Sequence, residues 1–213
     1  MSDELVLYTH PASRGRIIRW MLEEIGEPYR TEVRGFGSTM KTPEYLAINP
    51  MGKVPALRHG DAVVTECAAI CAYLADAFPE AGLAPGPTSR LRAPYYRWLF
   101  FGAGPLEAAV TNKALGFQVP AEREIMAGYG TFEAAFATIE KAVTGRTYLV
   151  GDQFSAADVY IASQLGWGML FGTIDRRPAC VAYCENLQAR PAAIRAREID
   201  DALMPKEAVP QPA

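Results

Sequence analysis

The pattern of apolar and polar positions changes character near residue 78. Before it, short apolar stretches alternate with amphipathic segments. Residues 4–9, Glu-Leu-Val-Leu-Tyr-Thr, read as a short buried strand closed by Pro11. A helix is predicted to start near Ser13, because Ile18, Leu22 and Ile25 recur at i, i+4 and i+7, and Gly26 with Pro28 ends it. Tyr29, Thr31 and Val33 alternate with charged residues and predict a second strand, completing a βαβ unit. Residues 35–40 read as a loop. Thr42-Pro43 then opens a short helix, with Thr as the cap and Pro in the first helical position. Asn49-Pro50-Met51-Gly52 is turn chemistry, and residues 54–58 and 62–64 flank His59-Gly60-Asp61, a hairpin signal. Thr65 caps a helix in which Ile70, Leu74 and Ala77 share a face. The order is βαβαββα.

Residues 79–87 hold three prolines and two glycines and read as a linker. Beyond them the pattern carries helices only, over 88–117, 121–144, 155–172 and 178–190, with a further short one after Pro191. The expected organisation is an α/β domain over 1–78, the linker 79–87 and an all-α domain over 88–213. The Pro- and Ala-rich tail after Met204 is expected to be loose. Ser155-Ala156-Ala157-Asp158 is a capping box with Asp in place of Glu, a structural feature whose loss should cost about 1 kcal/mol or more.

Charge changes this picture little. Residues 1–78 carry 8 basic and 10 acidic side chains and residues 79–213 carry 13 and 14, so neither part is a basic footprint for nucleic acid. The longest charge-free apolar run, residues 159–174, is 16 residues long, includes Gln164 and is short of a membrane span. No secretory signal pattern opens the chain. The cysteines fall in two i, i+4 pairs, Cys67/Cys71 and Cys180/Cys184, which is not a Cys-x-x-Cys redox spacing. With only His10 and His59 beside them, no metal-ligand spacing appears. Reduced, mostly buried thiols in a cytoplasmic protein are the expectation.

Five segments, in this order and at these separations, resemble the cytosolic glutathione S-transferase family, in a bacterial, serine-type-like form. They are Leu7-Tyr8 through Ser13-Arg14-Gly15-Arg16, Asn49-Pro50-Met51-Gly52-Lys53-Val54-Pro55-Ala56-Leu57, Thr65-Glu66-Cys67-Ala68-Ala69-Ile70, Gly151-Asp152-Gln153-Phe154-Ser155-Ala156-Ala157-Asp158, and Arg190-Pro191-Ala192. The resemblance covers residues 4–197. It implies a thioredoxin-like N-terminal domain, a helical C-terminal domain, glutathione as co-substrate and a homodimer. It also implies that Pro55 follows a cis peptide bond, which leaves the backbone of Val54 to pair with the cysteinyl unit of glutathione as an added strand would. At the Thr65-Glu66-Cys67 helix start, free N–H groups favour the γ-glutamyl carboxylate and Glu66 can accept from its ammonium. Cys67 stands where the family most often has Ser, and a thiol is the poorer donor. Lys41 and Lys53 are candidates for the glycyl carboxylate. Met40 replaces a histidine found in some classes, so one polar contact is missing there.

Glutathione is nucleophilic as its thiolate, and a free thiol has a pKa near ~8.5. A hydroxyl that donates to the sulfur beside a helix N-terminus favours the charged form. Ser13 is placed for this at the predicted helix start, Tyr8 is the rival at the end of the first strand, and backbone groups or Arg14 are further candidates. His10 could add positive potential or line the electrophile pocket, to which Trp98 and Phe101 are also assigned from the aromatic start of the helical domain. The function implied is conjugation of glutathione to a small hydrophobic electrophile. A non-enzymatic binding protein of the same fold, or a glutathione-dependent isomerase or dehalogenase, are the alternatives.

Overall fold

The computed structural model describes residues 4–204; the tail after Met204, expected to be loose, lies outside the described residues. Strands β1 (Leu5–Thr9), β2 (Tyr29–Val33), β3 (Ala56–His59) and β4 (Ala62–Thr65) form one sheet in the order β2-β1-β3-β4. β1 and β2 are parallel, with Leu7 opposite Thr31, and helix α1 (Gly15–Ile25) makes the crossover between them. β3 runs antiparallel to β1, and β4 closes the hairpin with His59 opposite Ala62. The two-residue connection works because Gly60 has φ 57°, a left-handed conformation that Gly adopts at no steric cost. Helices α2 (Pro43–Leu46) and α3 (Cys67–Ala77) complete the βαβαββα order, so this part is thioredoxin-like.

Side chains alternate across a strand, and β1 uses both faces. Val6 and Tyr8 point to a core cluster with Met40, Tyr45 and Ala56. The other face carries Leu5, Leu7 and Thr9, all buried, and Thr9 meets the first turn of α1. Of the three residues expected on the apolar face of α1, Ile18 and Leu22 are buried and Ile25 is half-buried. The same helix also buries Arg19, which no periodicity announced.

The helical part holds α4 (Arg92–Phe101), α5 (Glu107–Ala114), α6 (Phe132–Val143), α7 (Ala156–Leu170) and α8 (Pro178–Gln188). The helix expected over 88–117 runs without a break over 92–114: Gly102–Leu106, between α4 and α5, keeps helical dihedrals but widens to a π-helical stretch that contains Pro105. There Gly102 lies against α7, since a Cβ on it would fall 2.7 Å from the Tyr160 ring. The helix expected over 121–144 is divided. Ala121–Met126 is a 3₁₀ turn, Gly130 breaks the chain with φ 64°, and Thr131 starts α6 afresh by accepting the Ala134 N–H at 3.1 Å. Two glycines around Tyr129 and a capping threonine outweigh the apolar periodicity.

The chain divides into two compact units. One runs to Ala77 and resumes at Arg190; the other spans Phe78–Ala189. The last helix, α9 (Pro191–Ala202), therefore packs in the first unit, against α1. All four cysteines are free thiols; Cys67 is half-buried and the other three are buried. No helix among the described residues is long and apolar enough to cross a membrane.

Candidate functional site

The turn from β1 into α1 holds Ser13 in a fixed environment. Its Oγ donates to the His10 carbonyl at 2.7 Å and accepts the Gly15 N–H at 3.0 Å. Ser13 is therefore not a plain N-cap. It lies two residues before the first helical residue, and Arg14, which is exposed, stands between. The hydroxyl has one hydrogen, here given to His10, and one acceptor position left. The His10 carbonyl also receives the Ser13 N–H at 3.0 Å. The hydroxyl hydrogen can thus turn to another acceptor without orphaning that carbonyl.

His10 does not supply positive potential. Burial holds its imidazole below the usual histidine range, and Nδ1 accepts the Ala12 N–H at 3.1 Å. A neutral ring is the consequence at neutral pH, and it lies against the exposed Phe36 with ring centroids 4.1 Å apart. Phe36 sits in a loop, where apolar periodicity carries no signal.

Tyr8 faces the opposite side of the sheet from α1. It is 5 % exposed, packs against Tyr45 at 5.8 Å between ring centroids and lies under the Arg34 guanidinium. Period-two alternation is the reason: Thr9 takes the α1 face, so Tyr8 cannot. Met40, read from sequence as a lost polar contact, is a core residue of the same cluster.

The second edge of the site is the approach to β3. The Val54–Pro55 peptide bond is cis. Below it, the Lys53 carbonyl accepts from Tyr45 Oη at 2.6 Å and Asn49 Nδ2 at 2.9 Å, which fixes the chain just before Val54. No hydrogen bond among the described residues uses the Val54 backbone. The Lys53 side chain is exposed, while Lys41 Nζ donates to the Met51 carbonyl at 3.0 Å. Gly52 makes that reach possible, because a Cβ there would lie 2.7 Å from Lys41 Nζ and from the Met40 carbonyl.

The third edge is the start of α3. Cys67 Sγ donates to the Arg14 carbonyl across 3.9 Å, so the first turns of α1 and α3 lie side by side and the positive ends of both helix dipoles meet there. Glu66, exposed just before α3, has φ 68°, the one positive value at a non-glycine residue among those described. A left-handed conformation at such a residue costs about 1–3 kcal/mol and is characteristic of ligand sites. Glu66→Gly is therefore expected to stabilise the protein by about 1 kcal/mol, read from the midpoint of denaturant unfolding.

The first unit thus brings together Ser13, Arg14, Glu66 and Cys67. Trp98 and Phe101 belong to the second unit. They stack edge to face at 5.6 Å, Trp98 is buried and the Arg97 guanidinium covers it at 4.5 Å. An open cavity of about 400 Å³ in that unit lies elsewhere, among Lys113, Phe117, Tyr129 and Phe132, and neither Trp98 nor Phe101 lines it.

Comparison with known proteins identifies the family and the fold. Residues 13–77 match the family model for the glutathione S-transferase N-terminal domain, and residues 121–186 match that for the C-terminal domain. A glutathione S-transferase of Xanthomonas campestris is 30% identical over 166 residues, 76% of this chain and 81% of its own length. The crystal structure of a glutathione transferase from Methylococcus capsulatus superposes with a TM-score of 0.77 at 31% identity, covering 93% of this chain and 99% of that one. A sphingomonad glutathione S-transferase complexed with glutathione gives a TM-score of 0.75 at 29% identity, over 92% of this chain and 98% of the other.

Proposed function

The chain belongs to the glutathione S-transferase family and is a glutathione transferase, and we propose that it conjugates glutathione to small hydrophobic electrophiles, with Ser13 as the residue that holds the sulfur as thiolate. The observation that carries this is the convergence of the α1 and α3 starts. A buried hydroxyl stands at one, an acidic residue in a strained conformation at the other, and the Cys67–Arg14 contact joins them. The Val54 backbone would pair with the cysteinyl unit, the α3 N–H groups would take the γ-glutamyl carboxylate, and Glu66 its ammonium. Lys53 and Lys41 would take the glycyl carboxylate, Lys41 by giving up its bond to Met51.

Ser13 then acts by turning its hydrogen from the His10 carbonyl to the sulfur. Gly15 keeps donating to Oγ throughout, which makes the hydroxyl a better donor to an anion. The dipoles of two helix starts favour the same charge. Tyr8, committed to the opposite face of the sheet, is the weaker candidate. We read the protein as a cytoplasmic detoxification enzyme working as a homodimer. Its four free thiols and the exposed apolar side chains Val63 and Phe100 are compatible with that reading.

The test is a conjugation assay with aryl halides, epoxides and hydroperoxides, beside retention on immobilised glutathione. Ser13→Ala is expected to lower kcat/KM at neutral pH by about 10²-fold, as loss of one aligned donor to a developing anion does, with glutathione still bound. Because the bound thiol pKa rises toward its free value of ~8.5, the variant should recover activity as pH is raised, while the wild type has already reached its plateau. Glu66→Gly should weaken glutathione binding about tenfold or more through loss of a charge-assisted bond. A protein that binds glutathione yet conjugates none of the panel would instead be a binding module or a glutathione-dependent isomerase or dehalogenase.

A further inference from the structure

The turn that presents Ser13 is packed against β1 at a point where no side chain fits. Gly15 is buried, and a Cβ on it would lie 1.8 Å from Thr9 Oγ1, 2.9 Å from Thr9 Cβ and 3.1 Å from Ser13 Oγ. Its φ is not positive, so glycine is needed here for space and not for conformation. Thr9 has no room to yield. It is fully buried at the end of β1, paired in register with Val33, and its carbonyl holds the Arg34 N–H at 2.8 Å. A methyl on Gly15 must then push the first turn of α1 off the strand. The Ser13 oxygen, which accepts the Gly15 N–H, moves with it.

We propose that Gly15 and Thr9 are positioning residues for the Ser13 hydroxyl, their close contact setting where that oxygen stands relative to the glutathione sulfur. The inference rests on the reading of Ser13 given above. Neither residue touches substrate. Thr9 is the fixed wall and Gly15 is the gap that lets α1 start against it. Displacing a reacting or stabilising group by about 1 Å can cost about 10²-fold in rate.

The experiment uses the full chain and four variants: Ser13→Ala, Gly15→Ala, Thr9→Val and the double variant Gly15→Ala/Thr9→Gly. For each, kcat and the glutathione KM are measured with an aryl halide, and the ultraviolet absorbance of bound thiolate is followed against pH. Gly15→Ala should lower kcat at neutral pH about 30- to 100-fold, with the glutathione KM within about threefold, and should move thiolate formation to higher pH. Thr9→Val places a bulkier methyl where the hydroxyl was and should give a smaller change in the same direction. The double variant removes both crowding Thr9 atoms and should recover at least about tenfold of the lost rate. A merely structural role would lower the unfolding midpoint and leave the thiolate titration of the folded enzyme where it was, which would overturn the proposal. Thr9→Val with an unmoved titration overturns it even where Gly15→Ala does not fold. If Ser13→Ala itself leaves the titration unmoved, the assignment of Ser13 fails and the positioning role fails with it. If Ser13→Ala moves it and the other two do not, the positioning role alone fails.

Discussion

Asp200→Ala is expected to lower the unfolding free energy by about 3–5 kcal/mol, measured by denaturant titration, although no substrate-binding group is touched. Asp200 on α9 and Arg19 on α1 are 0 % and 1 % exposed, and Arg19 Nε donates to Asp200 Oδ1 at 2.7 Å. Arg19 Nη1 also donates to Tyr29 Oη and Thr31 Oγ1, each at 3.1 Å. Both neutral partners survive the substitution; the counter-charge does not. An uncompensated guanidinium then remains in the interior, and that penalty, more than the lost attraction, sets the size of the effect. Burial pushes the Asp200 carboxyl above the usual range even with Arg19 beside it, a sign of how dry the position is.

The neighbouring pairs decide which helices meet more than how strongly they hold. Along α1 the charges read Arg16, Arg19, Glu23, Glu24. Along α9 and the residue before it they read Arg190, Arg195, Arg197, Glu198, Asp200, Asp201. Laid antiparallel, each of the four α1 charges finds an opposite: Arg19 with Asp200, Arg16 with Asp201 at 2.7 Å, Glu23 with Arg195 at 3.2 Å, and Glu24 with Nε and Nη2 of Arg190 at 2.7 Å. A parallel arrangement would set like against like. The Arg16–Asp201 pair is exposed, so Asp201→Ala should cost about 0.5 kcal/mol or less. Replacing the buried pair together, Arg19→Met with Asp200→Leu, should restore most of what Asp200→Ala loses, since no charge is then left without a partner.

Those buried charges were also where the sequence was least readable. A helix carrying Arg16, Arg19, Glu23 and Glu24 looks like one with a solvated face. The partners that bury it lie more than 160 residues away, in a helix that sequence reading assigns to the other domain. The sheet, its hairpin and the α1 crossover were legible, because period-two alternation, Gly60-Asp61 and the Gly26 stop are local signals. The positions of Ser13, Val54, Glu66 and Cys67 were legible as motifs. Their environment was not. Which face of β1 Tyr8 takes depends on strand register, and the neutral state of His10 depends on burial. The core role of Met40 depends on where α2 docks. The break before α6 is written locally, in Gly128, Gly130 and the capping Thr131, although apolar spacing continues on either side of it.

Asp158→Ala is expected to cost about 4 kcal/mol, well above the ~1 kcal/mol typical of a lost helix cap. The carboxylate does accept the Ser155 N–H at 2.9 Å, as a capping box requires, and it accepts Ser155 Oγ as well, also at 2.9 Å. It also accepts the Leu149 N–H at 2.8 Å and Tyr183 Oη at 2.7 Å, so one side chain joins the loop before α7, the start of α7 and α8. All four bonds are buried, and Asp158 is 0 % exposed. Alanine leaves four donors in the interior with no acceptor, at about 1–3 kcal/mol for each that finds no new partner. Four bonds to the charged form do not outweigh burial, which still pushes the Asp158 carboxyl above its ordinary range. The network tolerates the loss of a donor better than the loss of the acceptor, because a lost donor leaves three bonds in place. Tyr183→Phe, which removes one donor, should cost about 1 kcal/mol. Asp158→Asn keeps an acceptor on one side and turns an NH₂ toward donors on the other, and should fall between the two. If Asp158→Ala and Tyr183→Phe proved equally costly in denaturant unfolding, the aspartate would be no more than a cap.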